Sequence, residues 1–197
     1  MKFNLSFVSA LVLVFSLASM ASAHTILRTL EIDGKELAPG MCIEPYHGPD
    51  KTSPVMDPAS DDMTCGIPGS SKDADLCPVK AGSKIKVEFR NYDEDEVDDP
   101  ENMAIDESHQ GPCFVFMAPL ESGGKGDVWF KIFEDGYSSG SWCVNKIRKA
   151  RGKLEITIPE DILPDDYLLR TEIIGLQDAE VQYTKGGKKG AQYFGVE

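Results

Sequence analysis

Lys84-Ile85-Lys86-Val87-Glu88-Phe89-Arg90 puts Ile85, Val87 and Phe89 on one parity and Lys84, Lys86, Glu88 and Arg90 on the other. Successive side chains of a strand point to opposite faces, so this stretch reads as a strand with one buried and one wet face. Upstream, Ile26, Leu30 and Ile32 share a parity that Arg28 interrupts, and Asp33-Gly34 follows as a hairpin turn signal. Downstream, the series continues with Phe114 to Met117, the DVWFKI segment around Trp129 and Ile132, KLEITI with Leu154, Ile156 and Ile158, and YLLRTEIIGL from Tyr167. Gly, Pro, Ser and Asp clusters between these runs mark turns and long loops. The one helical candidate is short, around Cys143 to Ala150. Several short strands with turn signals and little helix predict an all-β fold, an antiparallel β-sandwich.

Composition narrows the function. The 197 residues carry 33 acidic and 20 basic side chains, for a net charge of -13. A protein that tracks a phosphate backbone needs the opposite surplus, so nucleic acid is excluded as a partner. The same field is repelled by anionic lipid, and a neutral polymer such as a polysaccharide suits the surface better. The run from Asp93 to Glu101, DEDEVDDPE, reads as a solvated loop, because it lacks the alternating oxygen ligands and Gly of a calcium loop.

Residues 1–23 read as a secretory signal peptide: a basic Lys2, an apolar stretch from about Leu5 to Leu17, and a small-x-small end at Ala21-Ser22-Ala23. Residues 24–197 then form a single extracellular domain with no membrane span. Five cysteines, Cys42, Cys65, Cys77, Cys113 and Cys143, in a chain bound for an oxidising compartment read as disulfides. The odd count means that one thiol is free, pairs with another chain or has lost its partner. Spacing and a shortage of His argue against a cysteine zinc site.

The histidines are His24, His47 and His109, and cleavage after Ala23 makes His24 the amino terminus. An α-amino group titrates near about 7.7 and yields its proton readily to a metal, and Nδ1 of the same residue can close a chelate ring with it. A third nitrogen from a second His would complete a T-shaped set that suits copper. The bland alternative is a His exposed by chance.

From His24 onward the chain resembles the auxiliary activity family 9 lytic polysaccharide monooxygenases, secreted fungal copper enzymes that open with a His directly after the signal peptide. The resemblance lies in CIEPYHGPDKTSPVMDPASDDMTCG, CPVKAGSKIKVEF, SHQGPCFVFMAP, WFKIFEDGY with WCVNKI, GKLEITIPEDILPDDYLLRTEIIGL and the terminal GAQYF, all in the family's order. It implies an immunoglobulin-like or fibronectin-like sandwich with long loops and short helices. It also implies one copper ion held by His24, through amino nitrogen and ring, and by His109. Gln192 matches the Gln that hydrogen-bonds the oxygen species beside the metal, and Phe194 falls where the family usually has an axial Tyr. Gln177 stands where the family's ALH ends in a His. An amide still hydrogen-bonds there but cannot donate a proton with a pKa near neutrality.

The implied function is a monomeric monooxygenase acting on insoluble polysaccharide, cellulose or a related β-glucan, at C1 or C4, with an external electron donor and O2 or H2O2. The alternative is a secreted copper-binding protein that keeps the brace without oxidative cleavage. Tyr46 is the candidate for stacking on sugar, and His47 has no brace counterpart. In the family the axial residue is followed by a Cys, which pairs with the one matching Cys65, and by a last strand. The sequence stops three residues after Phe194, so a truncated carboxyl end and a sandwich short of its last strand are expected.

Overall fold

The computed structural model describes residues 25–44, 53–65, 75–91, 104–184 and 190–196. Among the described residues the strands are β1 (Ile26–Ile32), β2 (Lys35–Glu36), β3 (Lys84–Arg90), β4 (Cys113–Pro119), β5 (Phe130–Asp135), β6 (Lys153–Thr157), β7 (Tyr167–Gly175) and β8 (Gln192–Phe194), with one α-helix, α1 (Cys143–Lys149), and two single-turn 3-10 helices at Asp61–Met63 and Leu120–Ser122. They form two four-stranded antiparallel sheets, in the orders β2-β1-β3-β6 and β5-β4-β7-β8. The fold is the expected β-sandwich.

The alternation in β3 sets the first sheet. Val87 pairs with Leu30 and Leu154, and Ile85 with Ile32 and Ile156, so one apolar row runs across three strands. The other face is ionic: Lys86 meets Glu31, Lys153 lies 2.7 Å from Glu36, and Lys84 lies 2.7 Å from Glu155. Exposed pairs of this kind contribute little each, and their arrangement specifies which face is wet. Arg28, which breaks the parity of β1, sits at a β-bulge. The register shifts between Leu27 and Thr29, so Leu27 rather than Arg28 stands opposite Phe89, and Leu27 joins the core. One extra residue moves every preceding side chain to the other face. At the Asp33-Gly34 turn both residues have positive φ, 48° and 84°, as the tight hairpin loop requires.

In the second sheet, β4 and β7 pair over their whole lengths, from Cys113 opposite Ile173 to Pro119 opposite Tyr167. Inward residues Cys113, Val115, Thr171, Ile173 and Phe194 are almost fully buried and pack against Val87, Phe89 and Ile156 of the first sheet. On the outer face the Arg170 guanidinium lies over two rings, 4.3 Å from the Trp129 centroid and 4.9 Å from that of Phe116, and donates to the Met63 carbonyl at 2.6 Å. Aromatic rings and a carbonyl partner suit a planar guanidinium that is mostly out of water. Burial pushes the neighbouring Glu172 carboxyl up, and Arg170, 3.7 Å away, pulls it back. The edge strand β8 is not bare at its centre, because Tyr193 exchanges both backbone hydrogen bonds with Val55, at 2.8 and 3.0 Å. Such cover blunts an edge that would otherwise template pairing with another chain.

Two disulfides form, Cys42–Cys77 and Cys113–Cys143. They close loops with sequence separations of 35 and 30 residues, and each stabilises by roughly 3.5–4 kcal/mol on a chain-entropy estimate. Cys65 is the free thiol. Burial, and secondarily the Glu44 carboxylate, push it up to about 11. Only the thiolate attacks an alkylating reagent. Native protein at pH 8 is therefore expected to leave Cys65 unlabelled by iodoacetamide over the time in which denatured protein labels fully. Labelling in the native state should rise steadily as the pH is raised toward 11; equal rates in native and denatured protein at pH 8 contradict this burial.

Candidate metal centre

The segment from Ala104 to Pro112 carries His109 and is fixed at both ends. Ala104 and Ile105 are buried in the core. Beyond the histidine, Leu176 N–H donates to the Gln110 carbonyl at 2.9 Å and Ile174 N–H to the Pro112 carbonyl at 3.0 Å, so residues 110–112 continue the β4–β7 ladder past the formal end of β4. Gly111 has no alternative in this path, since a Cβ there would lie 1.7 Å from the Ile174 carbonyl oxygen. On the other side the Gln110 and Asn145 side-chain amides exchange hydrogen bonds at 3.0 and 2.7 Å. Val144 N–H donates to the Gly111 carbonyl, and the Cys113–Cys143 disulfide closes the same junction. His109 thus sits on a turn clamped between β7 and α1.

The imidazole itself is oriented by its own turn. Asp106 Oδ1 accepts from the Ser108 backbone N–H at 2.8 Å and from its hydroxyl at 2.6 Å, while His109 Nδ1 lies 3.1 Å from Ser108 Oγ and 3.6 Å from Asp106 Oδ1. The hydroxyl has one hydrogen, and the carboxylate is the stronger acceptor for it. Nδ1 is then the donor to Oγ, so that in the neutral ring Nε2 is the nitrogen that carries the lone pair. Partial burial works against the charged form of Asp106, but the Ser108 hydrogen bonds and the adjacent imidazole outweigh it and hold the carboxyl below its ordinary range.

Nε2 is itself buried, and the ring meets Phe194 edge-on with centroids 5.1 Å apart. Phe194 and Gln192 come from β8, which pairs Phe194 with Ile173 and Gln192 with Gly175. Gly175 leaves the room they need: a Cβ there would lie 2.7 Å from the Phe194 ring and 2.6 Å from Gln177 Oε1. Gln177 Oε1 is buried and has no hydrogen-bond partner among the described residues, while Gln192 Nε2 lies 3.4 Å from Asp178 Oδ2. The structure therefore gathers His109, Phe194, Gln177 and Gln192 at one end of the second sheet. His24, Tyr46, His47 and the acidic run from Asp93 lie outside the described residues.

Several contributors are not evident from the sequence. The Asp106-Glu107-Ser108 pattern just before the histidine is a local turn signal that could be read in advance. The Gln110–Asn145 pair, 35 residues apart, leaves no local trace, and Gly111 and Gly175 acquire meaning only when strands are laid beside them.

A model of Auxiliary Activity family 9 (formerly GH61) matches residues 24–194. The chain belongs to Auxiliary Activity family 9. Relatives in Auxiliary Activity family 9 include a protein of Aspergillus clavatus named AA9 family lytic polysaccharide monooxygenase A, 39% identical over 181 residues, covering 91% of this chain and 48% of that one. A protein of the same name from Aspergillus terreus is 40% identical over 162 residues, covering 82% of this chain and 44% of its own length. The chain thus spans about half the length of the curated relatives it matches. Among solved structures, CvAA9A superposes with a TM-score of 0.76 at 30% identity, covering 87% of this chain and 74% of the other. A polysaccharide monooxygenase from M. thermophila, with a TM-score of 0.62 at 21% identity, covers 87% and 74% and shares the fold.

The fit to copper can be judged from the donor set. An imidazole nitrogen suits a copper ion better than a cation that seeks hard oxygen ligands, and His109 brings one here with the Phe194 ring edge-on to it. Among the described residues no group of three or more His, Cys, Asp or Glu side chains converges, so a centre built on His109 draws its other donors from elsewhere in the chain.

The two glycines give a stability prediction. Gly111→Ala forces a methyl into a backbone carbonyl and is expected to cost roughly 3 kcal/mol or more, whereas Gly175→Ala meets side-chain atoms that can give way and should cost about 1–3 kcal/mol. Urea unfolding of the two variants measures both; equal and small losses contradict the packing described.

Proposed function

We propose that the chain, cut so that His24 is its amino terminus, is a secreted copper-dependent monooxygenase that cleaves glycosidic bonds of cellulose or a related β-glucan oxidatively. The observation that carries this reading is the preset imidazole of His109, with Nδ1 engaged by Ser108, Nε2 buried and the ring edge-on to Phe194. Preset tautomer and ring orientation are what a metal-binding histidine requires of its surroundings. His24 would supply its amino nitrogen and its ring. Support comes from the start of β1: Thr25, the next residue, donates to Asn91 at 3.2 Å, and Ile26 pairs with Arg90. A Cβ at Gly152 would meet both the Phe89 carbonyl and Ala104, which leads toward His109. Residue 25 and the His109 turn are thereby linked to one end of the sandwich.

When bound there, copper supplies one-electron redox chemistry toward O2 or H2O2, with electrons from an external donor. The protein's own part is placement. Ser108 and Asp106 fix the His109 ring, and Phe194 closes its flank and keeps water from it. The neutral amides of Gln192 and Gln177 offer hydrogen bonds beside it without bringing a negative charge.

A second reading, a copper-binding protein that does not cleave, is favoured by the same neighbours. Phe194 has no hydroxyl to carry away an oxidising equivalent, and Gln177 has no proton to give near neutral pH. The two readings separate in one experiment. Protein processed to begin at His24, loaded with copper and incubated with cellulose and ascorbate, is expected to release oxidised oligosaccharides detectable by mass spectrometry. His109→Ala should reduce them at least a hundredfold. Full copper occupancy with no oxidised product would establish the binding protein instead.

A further inference from the structure

We propose that the hairpin Gly136–Trp142 is a carbohydrate-binding platform at the edge of the His109 site, with Tyr137 as the stacking ring for a neutral β-linked glucan. This rests on the polysaccharide reading above and names a contact for it. The segment Gly136-Tyr137-Ser138-Ser139-Gly140-Ser141-Trp142 contains no charged residue. Ser138 and Ser141 exchange both backbone hydrogen bonds at 3.0 Å, and the two residues between them have positive φ, 51° at Ser139 and 78° at Gly140. That is a tight two-residue hairpin loop, a rigid one. Tyr137 and Trp142 flank it as a cross-strand pair with centroids 5.1 Å apart. The hairpin accounts for the pairing of the rings, but not for leaving Tyr137 63% exposed.

Sheet order locates the platform. β5 ends with Asp135 opposite Cys113, at the end of β4 that follows the His109 turn. Residues 110–112, the end of β7 and Gln192 lie at this same end, in the strand order β5-β4-β7-β8. A chain lying across the His109 end of the sheet would therefore pass Tyr137 on one flank, within a few strand spacings of about 4.8 Å each. Phe130, also exposed, stands at the other end of β5 beside Tyr167. Charge fits the same ligand. Lys146 lies 2.7 Å from Asp135 and 2.8 Å from Ser138 Oγ, so the base of the hairpin is neutralised on a chain of net charge -13. The serine hydroxyls and the amphipathic ring suit sugar hydroxyls and C–H faces.

The test is a pull-down of metal-free protein on insoluble cellulose, which reads binding apart from turnover. Tyr137→Ala is expected to weaken binding about fivefold, the loss of one aromatic contact. Tyr137→Phe should retain binding, as should Phe130→Ala at the far end. Equal binding by Tyr137→Ala and the parent overturns the platform, as does an equal loss in Phe130→Ala. A parent that binds no β-glucan overturns both the platform and the polysaccharide reading. A parent that binds through Tyr137 but releases no oxidised product leaves the platform standing and removes only the enzymatic claim.

Discussion

The site depends on the backbone ladder along β7. On one side β7 holds β4 and, through Ile174 and Leu176, the Pro112 and Gln110 carbonyls; on the other it holds β8 through Ile173 and Gly175. The turn that carries His109 and the strand that carries Gln192 and Phe194 are therefore placed by one shared strand. A slip of one residue on either side would turn Phe194 or the His109 turn to the opposite face. The disulfide at Cys113 and the amide pair at Gln110 fasten the same junction to α1, so the histidine is held by two separate elements.

The outer faces divide the remaining labour. The first sheet is wet and ionic, with lysines and glutamates paired across strands. The second is partly covered, with Arg170 over Phe116 and Trp129 and with Val55 on the edge of β8. The end that bears His109 is different again: its side chains are largely amides, rings and hydroxyls. Carboxylates stand there too: Asp106 beside Ser108, Glu107 3.5 Å from Arg148, Asp135 2.7 Å from Lys146 and Asp178 3.4 Å from Gln192.

Much of this was legible in the sequence. The alternation in 84–90 named the core row, and the strand runs at 114–117, 153–158 and 167–175 and the short helix near 143 follow from period and turn residues. The bulge at Arg28 was visible only as a broken parity, because the extra residue is defined by the partner strand. β8 is three residues long, too short for periodicity, and its strand character comes from pairing with β7 on one side and with Val55 on the other. His109, Gln177, Gln192 and Phe194 were found by resemblance. What holds them, the Gln110–Asn145 pair and the absent side chains at Gly111 and Gly175, is a matter of distance across the fold. Tyr137 carries no signal in the sequence, because exposure cannot be read from a serine-rich turn.

Electron paramagnetic resonance of the copper(II) protein bears most directly on the role of this end of the sandwich. Protein beginning at His24 is expected to bind one copper per chain, with nitrogen hyperfine structure from the His24 amino group and the two imidazoles. His109→Ala, or a single Ala added before His24, should each change that spectrum and weaken binding. A spectrum and affinity unaltered by both changes would contradict a copper centre built on these two residues.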